Sequence, residues 1–185
     1  MIEAYLQHEK ERSEQGIPAL PLNPQQTSEL CALLVDPPKG KEEFLLNLLK
    51  ERVSPGVDAS AKVKAEFLAG VVCGKTKSPL ITPVDAIRIL ATMIGGYNVA
   101  PLVAALQVQD LAEEAAAALS KITLVYDAFD EVAALAKAGN AAASKVMNSW
   151  AEAEWFTSRK GVPETIKVKV YKVDGEINTD DFSPA

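Results

Sequence analysis

The sequence predicts an all-α protein: a HEAT-like α-α superhelix followed by a short β segment near the end of the chain. Alanine is frequent between positions 59 and 153, while aromatic residues make up only 6% of the chain. Alanine is the best helix former and is poor in strands. Apolar residues also recur at helical spacing in short blocks with short connections, which is typical of stacked helix pairs. A globular helix bundle is the alternative interpretation.

Clear start and stop signals delimit the first three predicted helices. The first covers residues 2–15 and ends at Gly16-Ile17-Pro18. Asn23 followed by Pro24 is an N-cap with proline at the first helical position, and it opens a second helix that Asp36-Pro37-Pro38 stops. The third ends at Ser54-Pro55-Gly56. The apolar stripes of the second and third helices are Thr27, Leu30, Cys31 and Leu34, and Phe44, Leu45, Leu48 and Leu49.

The fourth and fifth helices have equally clear caps. Asp58 caps the fourth, and Gly74 lies just past its end. Thr82-Pro83 opens the fifth, with Asp85 in its first turn. The predicted stripes are Ala61, Ala65, Leu68 and Val72, and Ile87, Leu90, Ala91 and Ile94, the latter before Gly95-Gly96.

Four further helices are predicted in the second half of the chain. Two short ones lie near 99–108 and 110–119, and a longer one runs from about 121 to 138. The last runs from Asn140 to about Thr157. The predicted inward stripe of the longer helix is Ile122, Val125, Tyr126, Phe129, Val132, Ala133 and Ala136. That of the last helix is Ala143, Val146, Trp150 and Ala153.

The pattern changes at Gly161. Residues 166–173 alternate between apolar and polar side chains, and β-branched residues dominate them, which predicts a half-buried strand. Asp174-Gly175 forms a predicted turn. A single strand cannot form a sheet, so we expect residues 159–185 to be a linker and the first strand and turn of a truncated domain. Residues 1–158 form the helical domain.

The final residues, Gly175 to Ala185, carry a family resemblance. Asn178-Thr179-Asp180 followed by Pro184-Ala185 resembles the opening of the swivelling β/β/α domain of aconitases and of the small subunits of isopropylmalate isomerases. Upstream segments resemble the aconitase B family in the same order. They are Glu42 to Leu46, Val53 to Asp58, Lys77 to Leu80, Gly95 to Asn98 and Trp150 to Phe156.

The resemblance implies an enzyme that interconverts citrate and isocitrate through cis-aconitate on a [4Fe-4S] cluster, a lyase of the tricarboxylic acid cycle. That chemistry needs three cluster cysteines, a serine base and several arginines. None can be matched here, because in the family they lie downstream. We therefore expect no catalytic, cofactor-binding or metal-ligating residue in this chain, no cofactor, and no activity of the chain alone.

The same resemblance implies an interaction domain. Its expected partners are the catalytic domains of the same polypeptide, with roles in domain docking, substrate access, and self-association or association with other proteins. Aconitases as a family bind messenger RNA when the cluster is lost, so an RNA-binding module is the alternative. Its candidate residues are the eight basic side chains of residues 39–77, which outnumber five acidic ones: Lys39, Lys41, Lys50, Arg52, Lys62, Lys64, Lys75 and Lys77.

The remaining chemically notable residues favour structural roles. Cys31 and Cys73 are expected to be buried, and His8 solvated. Glu176, Asp180 and Asp181 are expected to cap turns and not to bind a cation. Trp150, Trp155 and Phe156 are expected in the core or at a domain contact. No signal peptide or apolar run long enough to span a membrane is visible, which predicts a cytoplasmic protein with no membrane partner.

Overall fold

Helices and their connections account for the fold in the computed structural model, which describes residues 1–170, 172 and 175, with only the backbone of Asp127. Within that part there are ten α-helices and one 3-10 turn, and no strand. The all-α class is therefore confirmed, while a HEAT-type superhelical course stays a prediction. The elements are α1 Ile2–Glu14, α2 Pro24–Val35, α3 Glu42–Glu51, α4 Ala59–Val72, α5 Pro83–Leu90, α6 Val99–Ala105, α7 Ala112–Leu119, the 3-10 turn Tyr126–Ala128, α8 Phe129–Lys137, α9 Ala141–Ala151 and α10 Glu154–Thr157.

The predicted caps set the helix starts. Asn23 Oδ1 accepts from the Gln26 N–H at 2.8 Å, and the Gln26 side chain accepts in return from the Asn23 N–H, a complete capping box. Asp58 caps α4, and Asn140 Oδ1 accepts from the Ala143 N–H at 2.9 Å. Each cap satisfies backbone donors that have no partner within the helix, so it fixes the residue at which the helix begins.

Neighbouring helices pack in sequence order. Helix α2 packs on α3 and α4, α4 on α5, α5 on α7, α6 on α7, and α9 on α7, α8 and α10. The apolar stripes predicted for α2 to α4 form much of this core, with Leu30, Leu34, Leu48, Leu49 and Leu68 almost completely buried. Helices α2 to α9 thus bury one face against neighbouring helices, whereas α10 contacts α9 but has no buried residue.

Residues 121–125 do not extend α8 as predicted. The 3-10 turn precedes α8, and of the predicted stripe Tyr126 is 83% exposed and Phe129 is also exposed, whereas Val132 is buried. Ile122, Thr123 and Val125 are β-branched, which disfavours helix. The Leu119 carbonyl already accepts from the Trp150 Nε1–H and the Ile122 N–H. The segment therefore leaves α7 as an irregular connection.

Two other helix boundaries differ from the prediction. Helix α5 ends at Leu90, so Ala91 and Ile94 are exposed instead of packed. The Asn98 amide bonds the Leu90 and Met93 carbonyls and so satisfies the end of that helix. The predicted helix to Thr157 breaks at Ala153, whose φ of 51° is left-handed, so Ala153 is only half-buried and a separate α10 follows.

Residues 161–170 form neither helix nor strand. Ile166, Val168 and Val170 are exposed, so the predicted half-buried strand is absent from this part of the chain. A strand pairs its backbone only with a neighbouring strand, and the described residues supply none. Val173, Asp174 and the acidic residues Glu176, Asp180 and Asp181 lie outside the described residues. The division into 1–158 and 159–185 stays a prediction.

Candidate docking surface

The two cysteines have different environments. Cys31 is buried on α2, as predicted, and burial raises the pKa of its thiol to about 12, although the nearby Lys64 charge acts in the opposite direction. Cys73 is exposed, contrary to the prediction, because it follows the last residue of α4 and precedes Gly74, whose φ is +73°. A cluster needs several thiolates, and a buried thiol with a raised pKa disfavours that form.

The described residues contain no group of three or more histidine, cysteine, aspartate or glutamate side chains placed to hold a metal ion. The cysteines present therefore do not fit an iron–sulfur cluster. His8 is half-buried instead of fully solvated, and its Nε2 accepts from the Leu20 N–H at 3.1 Å, so it ties α1 to the following segment. Among the described helices, none is both long and apolar enough to cross a bilayer.

Exposed apolar side chains from three separate segments converge on one groove. Val57 comes from the connection before α4, Ile94 from the connection after α5, and Leu124 and Tyr126 from the connection before α8. Their exposed fractions are 75%, 69%, 54% and 83%. Among the described side chains they line a cavity of about 490 Å³ with Gly95, Gly96, Val99, Ala100, Val125, Ala128 and the charged Glu131. We call these eleven residues the apolar groove.

Two hydrogen bonds and one close backbone approach join the connection before α4 to the connection after α5, which both line the apolar groove. The Ile94 N–H donates to the Pro55 carbonyl at 2.9 Å, and the Tyr97 hydroxyl donates to the Val57 carbonyl at 3.1 Å. Gly95 lies so close to Gly56 that a Cβ on Gly95 would overlap the Gly56 carbonyl oxygen. Gly95-Gly96 was predicted to end a helix, and this prediction is wrong, because α5 ends at Leu90 and Gly95 lies in the connection between α5 and α6.

A smaller cavity of about 150 Å³ adjoins the apolar groove and shares Ile94, Gly96 and Leu124 with it. Asn98 lines this cavity and is 1% exposed. Its Oδ1 is buried and accepts no hydrogen bond within the described part of the chain. The sequence analysis did not identify Asn98, because nothing in the sequence indicates that an asparagine in a glycine-containing connection is buried.

Aromatic side chains on α8, α9 and α10 follow the apolar groove along the sequence. Phe129, the first residue of α8, stacks on Trp150 of α9 with ring centroids 6.0 Å apart. The Trp150 Nε1–H donates to the Leu119 carbonyl at 3.0 Å, so this partly buried ring is held against the core. Trp155 and Phe156 on α10 are exposed, so they are not core residues, and their role in a domain contact stays a prediction.

Three of the eight basic side chains of residues 39–77 are buried or already paired. Lys64 is buried, Lys62 pairs with Glu66 at 3.9 Å, and Arg52 donates to the Tyr5 hydroxyl and the Ala19 carbonyl. The remaining five lysines, Lys39, Lys41, Lys50, Lys75 and Lys77, are exposed. The Ser78 hydroxyl donates to the Leu34 carbonyl at 2.6 Å, so the connection after α4, which carries Lys75 and Lys77, is bonded to the last turn of α2, which leads to Lys39 and Lys41.

A third cavity, of about 610 Å³, carries balanced charge. Lys50 and Arg88 face Glu51 and Asp85 across it. Arg88 is paired with Glu114 at 2.9 Å, and the Thr82 hydrogen bond holds the pKa of Asp85 below its ordinary value. Because its charges are matched, this cavity favours neither an anion nor a cation.

Comparison with known proteins gives the family. The family model described as the aconitate B N-terminal domain matches residues 4–156. Over 185 residues the chain is 55% identical to aconitate hydratase B of Salmonella typhimurium, 53% to that of Escherichia coli and 52% to that of Pseudomonas aeruginosa. Each match covers 100% of this chain and 21% of the relative, so the chain spans about a fifth of their length. This chain belongs to the family of aconitate hydratase B N-terminal domains.

Proposed function

We propose that this chain is the non-catalytic N-terminal interaction domain of an aconitate hydratase of the B type. The convergence of exposed apolar side chains on one groove carries the proposal. Scattered apolar residues are normal on a protein surface, whereas a contiguous apolar patch usually marks a contact site. The occupant we assign to the apolar groove is the rest of the same polypeptide, which in the relatives makes up about four-fifths of the length.

Covalent connection favours this occupant over an external partner. A domain that follows α10 on the same chain is held at a high effective concentration near α9 and α10. Phe129 directly follows Ala128 of the apolar groove and stacks on Trp150, and the exposed Trp155 and Phe156 lie on α10, the helix before that connection. We propose that docking there narrows substrate access to the catalytic domains and leaves other faces for self-association or for other proteins.

Catalysis then belongs to the rest of the polypeptide. The family resemblance implies the conversion of citrate to isocitrate on a [4Fe-4S] cluster, within the tricarboxylic acid cycle. Cys31 and Cys73 do not fit such a cluster, and we assign no step of the reaction to a residue of this chain. The predicted absence of catalytic, cofactor-binding and metal-ligating residues stays a prediction, as does the cytoplasmic location.

The test is binding of this chain to the separately produced remainder of the polypeptide. Ile94→Asp and Tyr126→Asp place charge in the apolar groove, and we expect each to weaken binding about tenfold or more, because a carboxylate must be desolvated there. Val35→Asp is the matched control, since Val35 is also exposed but lies at the end of α2. Binding that is unchanged in both groove variants, or lost equally in the control, contradicts the proposal.

A second candidate function is RNA binding by the apo-enzyme. The observation that favours it is the bond between Ser78 and Leu34, which joins the connection that carries the exposed Lys75 and Lys77 to the helix end that leads to the exposed Lys39 and Lys41. Phosphate contacts by lysines give affinity that falls steeply as salt increases. Asp36, Glu42 and Glu43 flank the first two lysines and reduce the local positive charge.

Binding of a labelled single-stranded RNA at several salt concentrations tests this second function. Lys39→Glu with Lys75→Glu should weaken binding and flatten its salt dependence, whereas Lys145→Glu on α9 should do neither. If the chain does not bind RNA at low salt, or if Lys145→Glu weakens binding as much as Lys39→Glu with Lys75→Glu does, these lysines are not the RNA site.

A further inference from the structure

Helix α9 ends in a backbone conformation that is unusual for the residue that adopts it. Ala153, the residue after the C-cap, has φ 51° and ψ 39°, and among the described residues it is the one non-glycine residue with positive φ. The same position after α1, α4 and α8 is glycine, namely Gly16, Gly74 and Gly139. A Cβ makes the left-handed conformation costly, so Ala153 is held in a strained state that the other three helix ends avoid.

The local sequence does not require the chain to break at Ala153. Residues 150–157 contain neither glycine nor proline, and alanine and glutamate favour helix. In one continuous helix, Ala153 would extend the buried stripe of Ala142, Val146 and Ser149 at the regular spacing of three or four residues. The sequence is therefore compatible with both a bent and a straight arrangement of α9 and α10.

One side-chain hydrogen bond belongs to the bent arrangement alone. The buried Ser149 hydroxyl donates to Glu154 Oε2 at 2.7 Å. The two residues are five positions apart, and in a regular helix such positions point about 140° apart around the axis, whereas residues three or four apart share a face. Straightening the chain at Ala153 would therefore break this bond.

The aromatic side chains of α10 also differ between the two arrangements. Helix α10 contacts α9, and Trp155 and Phe156 are 39% and 63% exposed. In a continuous helix they would lie one turn after Ala151 and Glu152, which are both exposed. Straightening thus relieves backbone strain, but it breaks the Ser149 bond and exposes more aromatic surface. The strain and the hydrogen bond are similar in size, so neither arrangement is strongly favoured.

We propose that Ala153 is a two-state hinge between α9 and α10. In the bent state, which the structure shows, Glu154 is bonded to Ser149. In the straight state Ala153 becomes right-handed, α9 continues to Thr157, and the residues after it leave the helical domain in a different direction. The inference goes beyond the proposed function, because it concerns the direction of the chain after α9 whether or not the apolar groove is covered.

The sign of the effect of Ala153→Gly tests the bent state. Glycine adopts the left-handed conformation without strain, whereas it destabilises a continuous helix. We expect Ala153→Gly to raise the Tm by about 1–3 °C, and the control Ala151→Gly, at the last residue of α9, to lower it by about 1–4 °C. If Ala153→Gly lowers the Tm as much as the control does, the helix is continuous in solution and the hinge is wrong.

The distance between two spin labels tests the exchange between the states. Ala141→Cys and Thr157→Cys place the labels at exposed positions, in a Cys73→Ser background because Cys73 is exposed and Cys31 is buried. At about 1.5 Å per residue, a continuous helix separates these two backbone positions by about 24 Å. The bent state brings them closer, because α10 contacts α9.

We expect the short distance to predominate in the parent chain. Ser149→Ala should increase the fraction with the long distance about threefold or more, because the bond specific to the bent state is lost, and Ala153→Gly should decrease it. Ser144→Ala is the matched control, since the Ser144 hydroxyl bonds the Asn140 carbonyl on the same helix. A single distance that neither Ser149→Ala nor Ala153→Gly changes, or an equal effect of Ser144→Ala and Ser149→Ala, overturns the hinge.

Discussion

Lys64 lies in the middle of α4, and its side-chain amine makes no ion pair or hydrogen bond within the described part of the chain. The side chain is 1% exposed. Burial lowers the pKa of Lys64 to about 8, which the nearby Glu51 and Cys31 groups only partly oppose. A buried charge without a partner raises the free energy of the folded state. Near neutral pH Lys64 therefore destabilises the fold, and other contacts in this region must offset that cost.

Lys64→Met should therefore stabilise the protein at pH 7. Methionine keeps the length and the apolar stem of lysine and removes the charge, and we expect the free energy of unfolding to rise by about 1–3 kcal/mol. Urea denaturation measures this change. Lys62→Met is the matched control, because Lys62 is exposed on the same helix, and should change stability by less than about 0.5 kcal/mol. A destabilised Lys64→Met variant would mean that the ammonium has a necessary partner.

The pH dependence of stability follows from two buried groups. Between pH 8 and the ordinary lysine value of 10.5, the unfolded chain holds a proton that folded Lys64 has released, so the free energy of unfolding rises with pH. Above the ordinary cysteine value of 9.0, the unfolded chain loses a proton that folded Cys31, with its pKa of about 12, retains, so stability falls. Stability should rise from pH 8 to 9, change little to 10.5, then fall. Lys64→Met should abolish the rise, and Cys31→Ala the fall.

Single residues were unevenly predictable from the sequence. Cys31 lies inside an apolar stripe, and its burial followed from helical spacing. Cys73 has similar neighbours but lies one residue past the end of α4, where one position decides between core and solvent. Lys64 and Asn98 could not be predicted, because a buried polar residue depends on contacts between distant helices and leaves no local pattern.

Among the elements, helix starts were predicted better than the connections. Asn23, Asp58 and Thr82 act through residues within three positions, so local sequence is sufficient to identify them. The segment 121–125 has an apolar spacing that fits a helix, yet it forms a wall of the apolar groove. Its conformation depends on contacts with the connections before α4 and after α5, which periodicity does not reveal.

Gly95→Ala should disturb the apolar groove selectively. An added Cβ would overlap the Gly56 carbonyl oxygen, so the two connections must separate, and we expect a loss of about 2–3 kcal/mol in the free energy of unfolding. Thermal denaturation measures the effect. Gly161→Ala is the control, since a Cβ there meets no atom within 4 Å. If Gly95→Ala is as stable as the control, the close approach of the two connections does not hold in solution.

At the scale of the molecule, the order and class of the elements followed from the sequence, and so did the family. Helix pairs are local units, and their packing in sequence order needs no long-range information. The apolar groove was only partly predicted. A contact with other domains was expected, but the position of the groove depends on three connections that meet in space. Trp155 and Phe156 were expected in the core or at a domain contact; their exposure excludes the core, and the domain contact stays a prediction.

Hydrogen exchange should divide the molecule into two classes. Amides in the packed helices α4, α5, α7 and α9 should exchange slowly, because their hydrogen bonds are buried together. The N–H groups of Thr123 and Leu124 make no hydrogen bond in the described structure, and residues 161–170 form no regular element, so both segments should exchange fast in the isolated chain.

The same measurement on the full-length polypeptide tests the docking surface as a whole. If the rest of the polypeptide covers the apolar groove, Thr123 and Leu124 should become protected, since docking excludes water and orders the segment. Residues 161–170 should become protected as well, because the alternation of Ile166, Val168 and Val170 fits a strand that pairs with others. Gly40, in the exposed connection between α2 and α3, makes no N–H hydrogen bond in the described structure and should stay fast in both samples. Protection of 161–170 without protection of 123–124 would mean that the following domain folds but leaves the apolar groove open. The apolar groove would then not be part of the domain contact.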